Sequence, residues 1–181
     1  MARVPYLDRA DLRPEDRDIY DDLTAQRGEV INLFRALAHT PALLRPLLGY
    51  STALRQRLRL DPWLRELAIL TVGRLAGVEY EFTHHWNIAR GLGVPREKLA
   101  ALEGEQFMED PVWSEEERAV LRYSAEATQR VHVSEATFSG LARFLDTPRI
   151  VELVQVVAYY NMIVRILAPL AIDLEPGRTR V

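Results

Sequence analysis

Proline sets the frame of this sequence. At Arg13-Pro14, Thr40-Pro41, Asp61-Pro62, Val94-Pro95 and Thr147-Pro148 a proline stands at the head of a segment whose apolar residues recur near the helical period. A proline is tolerated in the first turn of a helix, where its missing N–H would go unsatisfied anyway, and is costly in the interior. The chain therefore reads as a string of helices, each with its own start.

An extended arm runs to about Leu12. One helix begins at Pro14, with Glu15 and Asp16 in its first turn, and ends near Arg27-Gly28. Val30 to Ala38 forms a second segment. Thr40 is expected to cap a third helix that runs from Pro41 to about Leu58, and Asp61-Pro62 repeats the device for a helix carrying Trp63, Leu67, Leu70 and Leu75. Gly77 breaks that run. The next helix carries Val78, Phe82, Ile88, Ala89 and Leu92 and stops at Gly91 to Gly93, after which Val94-Pro95 opens a short one through Leu102. Gly104 to Trp113 is an irregular connection. Ser114 and Glu117 make a capping box for a helix to about Arg130, and Ser134 caps another. Ile150 to Ile172 is apolar enough to suggest strands or a membrane span, but its length favours helix, and Glu152, Gln155, Asn161 and Arg165 interrupt it too often for lipid. Glu175 to Val181 reads as a frayed tail. The expectation is an all-α protein of about seven to eight helices, one domain over residues 1–181.

Composition narrows the function. With 23 basic and 26 acidic residues and a net charge of −3, the chain lacks the footprint of a nucleic-acid binder. It has 0 cysteines, which removes disulfides, thiolate metal sites and thiol nucleophiles. No export signal is legible at Met1-Ala2-Arg3-Val4, so a cytoplasmic location is expected, with no membrane partner.

The chemistry gathers in Glu79-Tyr80-Glu81-Phe82-Thr83-His84-His85-Trp86. Glu81 and His85 are four apart and share a helix face with Val78, Ile88, Ala89 and Leu92, so carboxylate and imidazole point to the apolar side, where each needs a partner. Tyr80 and His84 form the adjoining stripe. Glu66 reaches the same region if its helix packs antiparallel across Ala76-Gly77. Such a grouping shifts pKa values and suits proton transfer; equally, a glutamate and a histidine at this spacing are often only a structural ion pair. A zinc or iron site is a third possibility, although the spacing matches neither of the usual histidine motifs, and no metal is expected. Arg74, expected to face the same helix end as Glu66 and Thr71, is a candidate for an anionic substrate. His39 and His132 flank helix ends, where solvated or capping roles are expected, and Trp63, Trp86 and Trp113 read as core or interface aromatics.

Arg65-Glu66-Leu67-Ala68-Ile69-Leu70, Gly77-Val78-Glu79-Tyr80-Glu81, His84-His85 and Ala89-Arg90-Gly91-Leu92-Gly93-Val94 together resemble the carboxymuconolactone decarboxylase family, which includes AhpD-like alkylhydroperoxidases. The resemblance is strongest from about Leu58 to Leu102, with an echo at Glu152-Leu153, Tyr160-Asn161 and Arg165. It implies a compact AhpD-like helical domain in which residues 1–58 are an amino-terminal helical extension, 59–102 the core motif and 114–172 the carboxy-terminal helices. In the peroxidase branch a glutamate precedes a CxxC pair and a histidine. In that register Glu66 and His85 match the glutamate and histidine, while Val78 and Glu81 stand where the cysteines would be. Thiol peroxidase activity is then implausible. The decarboxylase branch implies a cofactor-independent acid/base enzyme acting on a small carboxylated or lactone metabolite. His85 would be the acid-base residue, Glu81 and Glu66 would tune it, and His84, Tyr80 and Arg74 would hold substrate. The resemblance also implies a homo-oligomer, a trimer or hexamer, whereas the longer amino-terminal extension would favour a dimer. A non-catalytic binding or structural relative is the alternative.

Overall fold

A computed structural model describes residues 1–180. Among them there are nine α-helices, three short 3-10 turns and no strand. The helices are α1 (Asp18–Arg27), α2 (Asn32–Leu37), α3 (Pro41–Gln56), α4 (Pro62–Ala76), α5 (Glu79–Gly91), α6 (Arg96–Glu103), α7 (Glu115–Arg130), α8 (Glu135–Ala142) and α9 (Thr147–Leu170). The all-α expectation stands, with one or two helices more than expected.

Side-chain caps start three of the helices. Asp61 accepts from the backbone N–H groups of Trp63 and Leu64 at the head of α4. Ser114 and Glu117 form the reciprocal box that starts α7, and Ser134 accepts from the N–H of Thr137 at the head of α8. Thr40 behaves differently: its hydroxyl donates back to the Leu37 carbonyl at 3.3 Å, so α3 starts on Pro41 without a side-chain cap. Pro14 opens a 3-10 turn, Pro14–Asp16, and α1 begins only at Asp18. The extended arm is likewise interrupted by a turn at Arg9–Asp11.

The chain divides into two compact units, one of residues Met1–Arg57 with Leu167–Arg178, the other of Leu58–Ile166 with the chain from Thr179. In the first unit α1 to α3 present Ile19, Leu23, Leu33, Phe34, Leu44 and Leu54 as buried apolar residues. The chain after α9 is tied down there. Glu175 accepts the Asn32 N–H at 2.8 Å, Asn32 Nδ2 donates to the Asp173 carbonyl at 3.0 Å, and Arg178 pairs with Glu29 and Glu175. The frayed reading of 175–180 is thus overturned by a set of polar contacts; Val181 lies outside the described residues.

In the second unit α4 is its central helix, with every residue from Leu64 to Gly73 buried. Leu153, Val156, Val157, Ile163 and Val164 of α9 are buried, while Val151, Val154 and Met162 are exposed. α9 is long and apolar enough to cross a membrane, but half of its most apolar window is buried inside the fold, as in the core helix of a globular protein. Its charge has a structural partner: Glu152 accepts the N–H groups of Arg59 and Leu60 at 2.9 and 2.7 Å. In the irregular connection Trp113 is buried, donates to the Phe107 carbonyl at 2.5 Å and stacks on Trp63 with centroids 6.4 Å apart.

Candidate active site

Two residues join α4 to α5. Gly77 takes the left-handed conformation, φ +65°, that lets α4 stop, and α5 starts at Glu79. The helices then run back along each other. They pack tightly at Gly73, where an added Cβ would lie 3.2 Å from the Phe82 nitrogen and 3.6 Å from Glu81 Cβ. A side chain at Gly73 would push α5 away, and with it the residues that follow.

Further from the turn, this approach brings Glu66 of α4 against His85 of α5. His85 Nδ1 donates to Glu66 Oε2 at 2.6 Å, and Nε2 lies 3.0 Å from Glu81 Oε1, one turn earlier on α5. Glu81 Oε1 has no aligned hydrogen bond from any group, so the second contact is electrostatic. On the other side of Glu66, Arg65 donates to Oε1 at 3.0 Å. Tyr160 of α9 closes the group, its ring standing edge-on to the imidazole at a centroid distance of 4.8 Å. Glu66 is 1% exposed, Glu81 3%, His85 8% and Arg65 9%, so four ionisable side chains share one buried volume.

Burial of this depth normally disfavours charge. For His85 burial pulls the imidazolium down, yet Glu66 and Glu81 outweigh it and push the ring up to about 9. Burial also raises Glu66, while His85 and Arg65 outweigh it and hold the carboxyl below its ordinary value. At neutral pH His85 is therefore an imidazolium between two glutamates. With Arg65 and His85 each +1 and Glu66 and Glu81 each −1, the group sums to zero charge, which is how it avoids the cost of an unpaired buried ion.

Of the residues singled out in the sequence, Glu66, Glu81 and His85 come together as expected. Tyr80 and His84 pair with each other, ring centroids 4.4 Å apart, on the neighbouring stripe of α5. Arg74 does not join them. It sits eight residues beyond Glu66 on α4, about 12 Å along the axis, is exposed, and points its guanidinium toward the carbonyls of Glu103 and Gly104 at 3.4 and 3.5 Å. Leu92, expected on the apolar face, is 47% exposed because α5 ends beneath it. His39 is exposed and contacts the Pro5 carbonyl at 2.9 Å. Sequence reasoning missed Arg65 and did not single out Tyr160 for the site. Among the described residues no three histidine, aspartate or glutamate side chains converge as a metal-holding group.

The model of the family described as carboxymuconolactone decarboxylase matches residues 41–126. No curated protein matches the chain in sequence. Among solved structures the chain is similar to the alkylhydroperoxidase AhpD core of an uncharacterized peroxidase-related protein from Ralstonia eutropha JMP134, at a TM-score of 0.85 and 20% identity, covering 99% of this chain and 97% of that one. It is similar to a peroxidase-related protein from Silicibacter sp. TM1040, at a TM-score of 0.82 and 19% identity, covering 97% and 92%. It also resembles a cysteine-to-alanine variant of the debrominase Bmp8 in complex with 2,3,4-tribromopyrrole, at a TM-score of 0.80 and 20% identity, covering 97% and 95%. Residues 41–126 thus carry the pattern of the carboxymuconolactone decarboxylase family, and the chain shares the all-helical AhpD-like fold of these structures without having a cysteine.

Proposed function

We propose that the protein is a cofactor-independent acid/base enzyme that decarboxylates, or moves a proton on, a small carboxylated or lactone-type metabolite. The observation that carries this reading is His85, held as an imidazolium between Glu66 and Glu81. When the bond to a departing carboxylate breaks, its electron pair stays on carbon as an enolate or carbanion, which must take a proton. An imidazolium supplies one at neutral pH and recovers it from solvent. Glu66, bonded at Nδ1, fixes the ring; the Nε2 proton, whose contact with Glu81 lacks alignment, is the one left for the substrate. Tyr80 and His84 hold the substrate, and Arg74 stands outside the site. Thiol chemistry has no nucleophile in this chain: the cysteine replaced in the Bmp8 complex has no counterpart here.

The experiment is turnover of a carboxylated lactone, carboxymuconolactone first, by wild type and His85→Gln. Loss of about a hundredfold or more in the variant, with its circular dichroism unchanged, is the expected result. A second reading, a purely structural network, is favoured by the zero net charge of the four groups; under it, wild type releases no carbon dioxide from any lactone tried.

We further infer a homo-oligomer built in part through the exposed apolar residues Val151, Val154 and Met162 of α9. Light scattering on the eluting protein checks it, and a monomer at micromolar concentration would sink it. A cytoplasmic location goes with this reading, since a fold that uses no disulfide needs no oxidising compartment.

A further inference from the structure

Glu79, Thr83 and Asn87 stand four apart on α5 and so form one stripe. The chain from Thr179 lies along it. Asn87 Nδ2 donates to the Thr179 carbonyl at 3.0 Å. The Arg180 guanidinium donates to Thr83 Oγ1 at 3.1 Å, pairs with Glu79, and pairs with Glu103 of α6 at 2.8 Å. Thr83 Oγ1 donates in turn to Glu79 Oε1 at 2.9 Å, which closes a ring of three hydrogen-bonded groups. The guanidinium carbon lies 5.3 Å from the centre of the Phe82 ring. Beside it is a cavity of about 290 Å³ that Gly73, Gly77, Val78 and Arg74 help to line.

These partners suit a flat, forked cation better than a point charge. A guanidinium can donate to two carboxylates and a hydroxyl from its edge while its face rests on an aromatic ring; an ammonium satisfies fewer of these at once. The charges agree. With Arg74 and Arg180 at +1 each and Glu79 and Glu103 at −1 each the patch is neutral, and without Arg180 it carries −1, enough to draw in one monovalent cation.

We propose that Glu79, Phe82, Thr83 and Glu103 form a guanidinium-binding site, filled by Arg180 of the same chain and open to a small alkylguanidinium compound once Arg180 is withdrawn. Tethering gives Arg180 a high local concentration, so a free ligand competes poorly with it. The site shares no side chain with the His85 cluster, and the inference does not rest on the acid/base reading.

Calorimetric titration at low salt with propylguanidinium and with butylammonium tests it. Arg180→Ala should bind propylguanidinium at least tenfold more tightly than wild type does and severalfold more tightly than it binds butylammonium; adding Glu79→Gln should abolish that binding. Equal binding by wild type and Arg180→Ala, or equal affinity for the two cations, would overturn the proposal and leave only an acidic patch. Arg180→Lys provides a control that keeps the charge: propylguanidinium should displace the lysine and shift the Phe82 amide resonance, and no shift there counts against the site.

Discussion

The two polar centres on α5 share a plan and differ in burial. In one, His85 lies between Glu66 and Glu81 with the Tyr160 ring against it; in the other, Arg180 lies between Glu79 and Glu103 over the Phe82 ring. Glu66 and Glu81 are almost wholly buried, whereas the Glu79 and Glu103 side chains are 64% and 46% exposed. Water and salt screen the outer group, so it can exchange partners at little cost. The inner group cannot, because removing one member leaves an opposite charge stranded in low dielectric. The same constellation is thus a proton-holding device in the interior and a docking site at the surface.

The largest effect should come from His85→Ala. Two buried carboxylates then lose their shared partner, and a loss of about 3–5 kcal/mol in urea unfolding is expected. If the loss were below about 1 kcal/mol, the inner cluster would be no different from the outer one.

A smaller effect, with a definite sign, concerns pH. The folded pKa of His85, about 9, lies above its ordinary value of 6.5, so its contribution to stability is complete below about pH 6.5 and is lost as pH rises through about 9. Glu66 is depressed, so its contribution is present above its ordinary range and disappears as pH falls through its lower folded value. Unfolding followed from pH 6 to pH 10 should therefore show an alkaline decline in wild type that is absent in His85→Gln. A decline that persists unchanged in the variant belongs to another group.

The smallest effect is expected outside. Arg180→Ala should lower the melting midpoint by no more than about 3 °C, and about 1 M salt should erase the difference from wild type. A large, salt-insensitive drop would make the outer group a structural element like the inner one.

What was legible in the sequence follows from how local each signal is. The proline and glycine boundaries, the Asp61, Ser114 and Ser134 caps, and the Glu81-His85 pair each depend on residues within one turn of one another. Glu66 could be added because only two residues join its helix to α5. Arg65 was missed because adjacent helical residues do not normally face each other, and here the long guanidinium folds back onto the carboxylate beside it. Tyr160 and Arg180 are brought in by contacts across 75 and more residues, which no period reveals. Proline, glycine and arginines make residues 175–180 look frayed, although Glu29, Glu79 and the Asn32 amide, all far back in the chain, hold them. Arg74 lies at the turn end of α4 and points to the Glu103 and Gly104 carbonyls, because eight residues carry it two turns along the axis from Glu66.

Glu152 carries one more consequence. Its carboxylate, on α9, is the acceptor for the amides of Arg59 and Leu60, 93 and 92 residues earlier. Those two amides trade hydrogen for deuterium when Glu152 lets go, so their exchange rates time the release of this carboxylate from the chain that leads into α4.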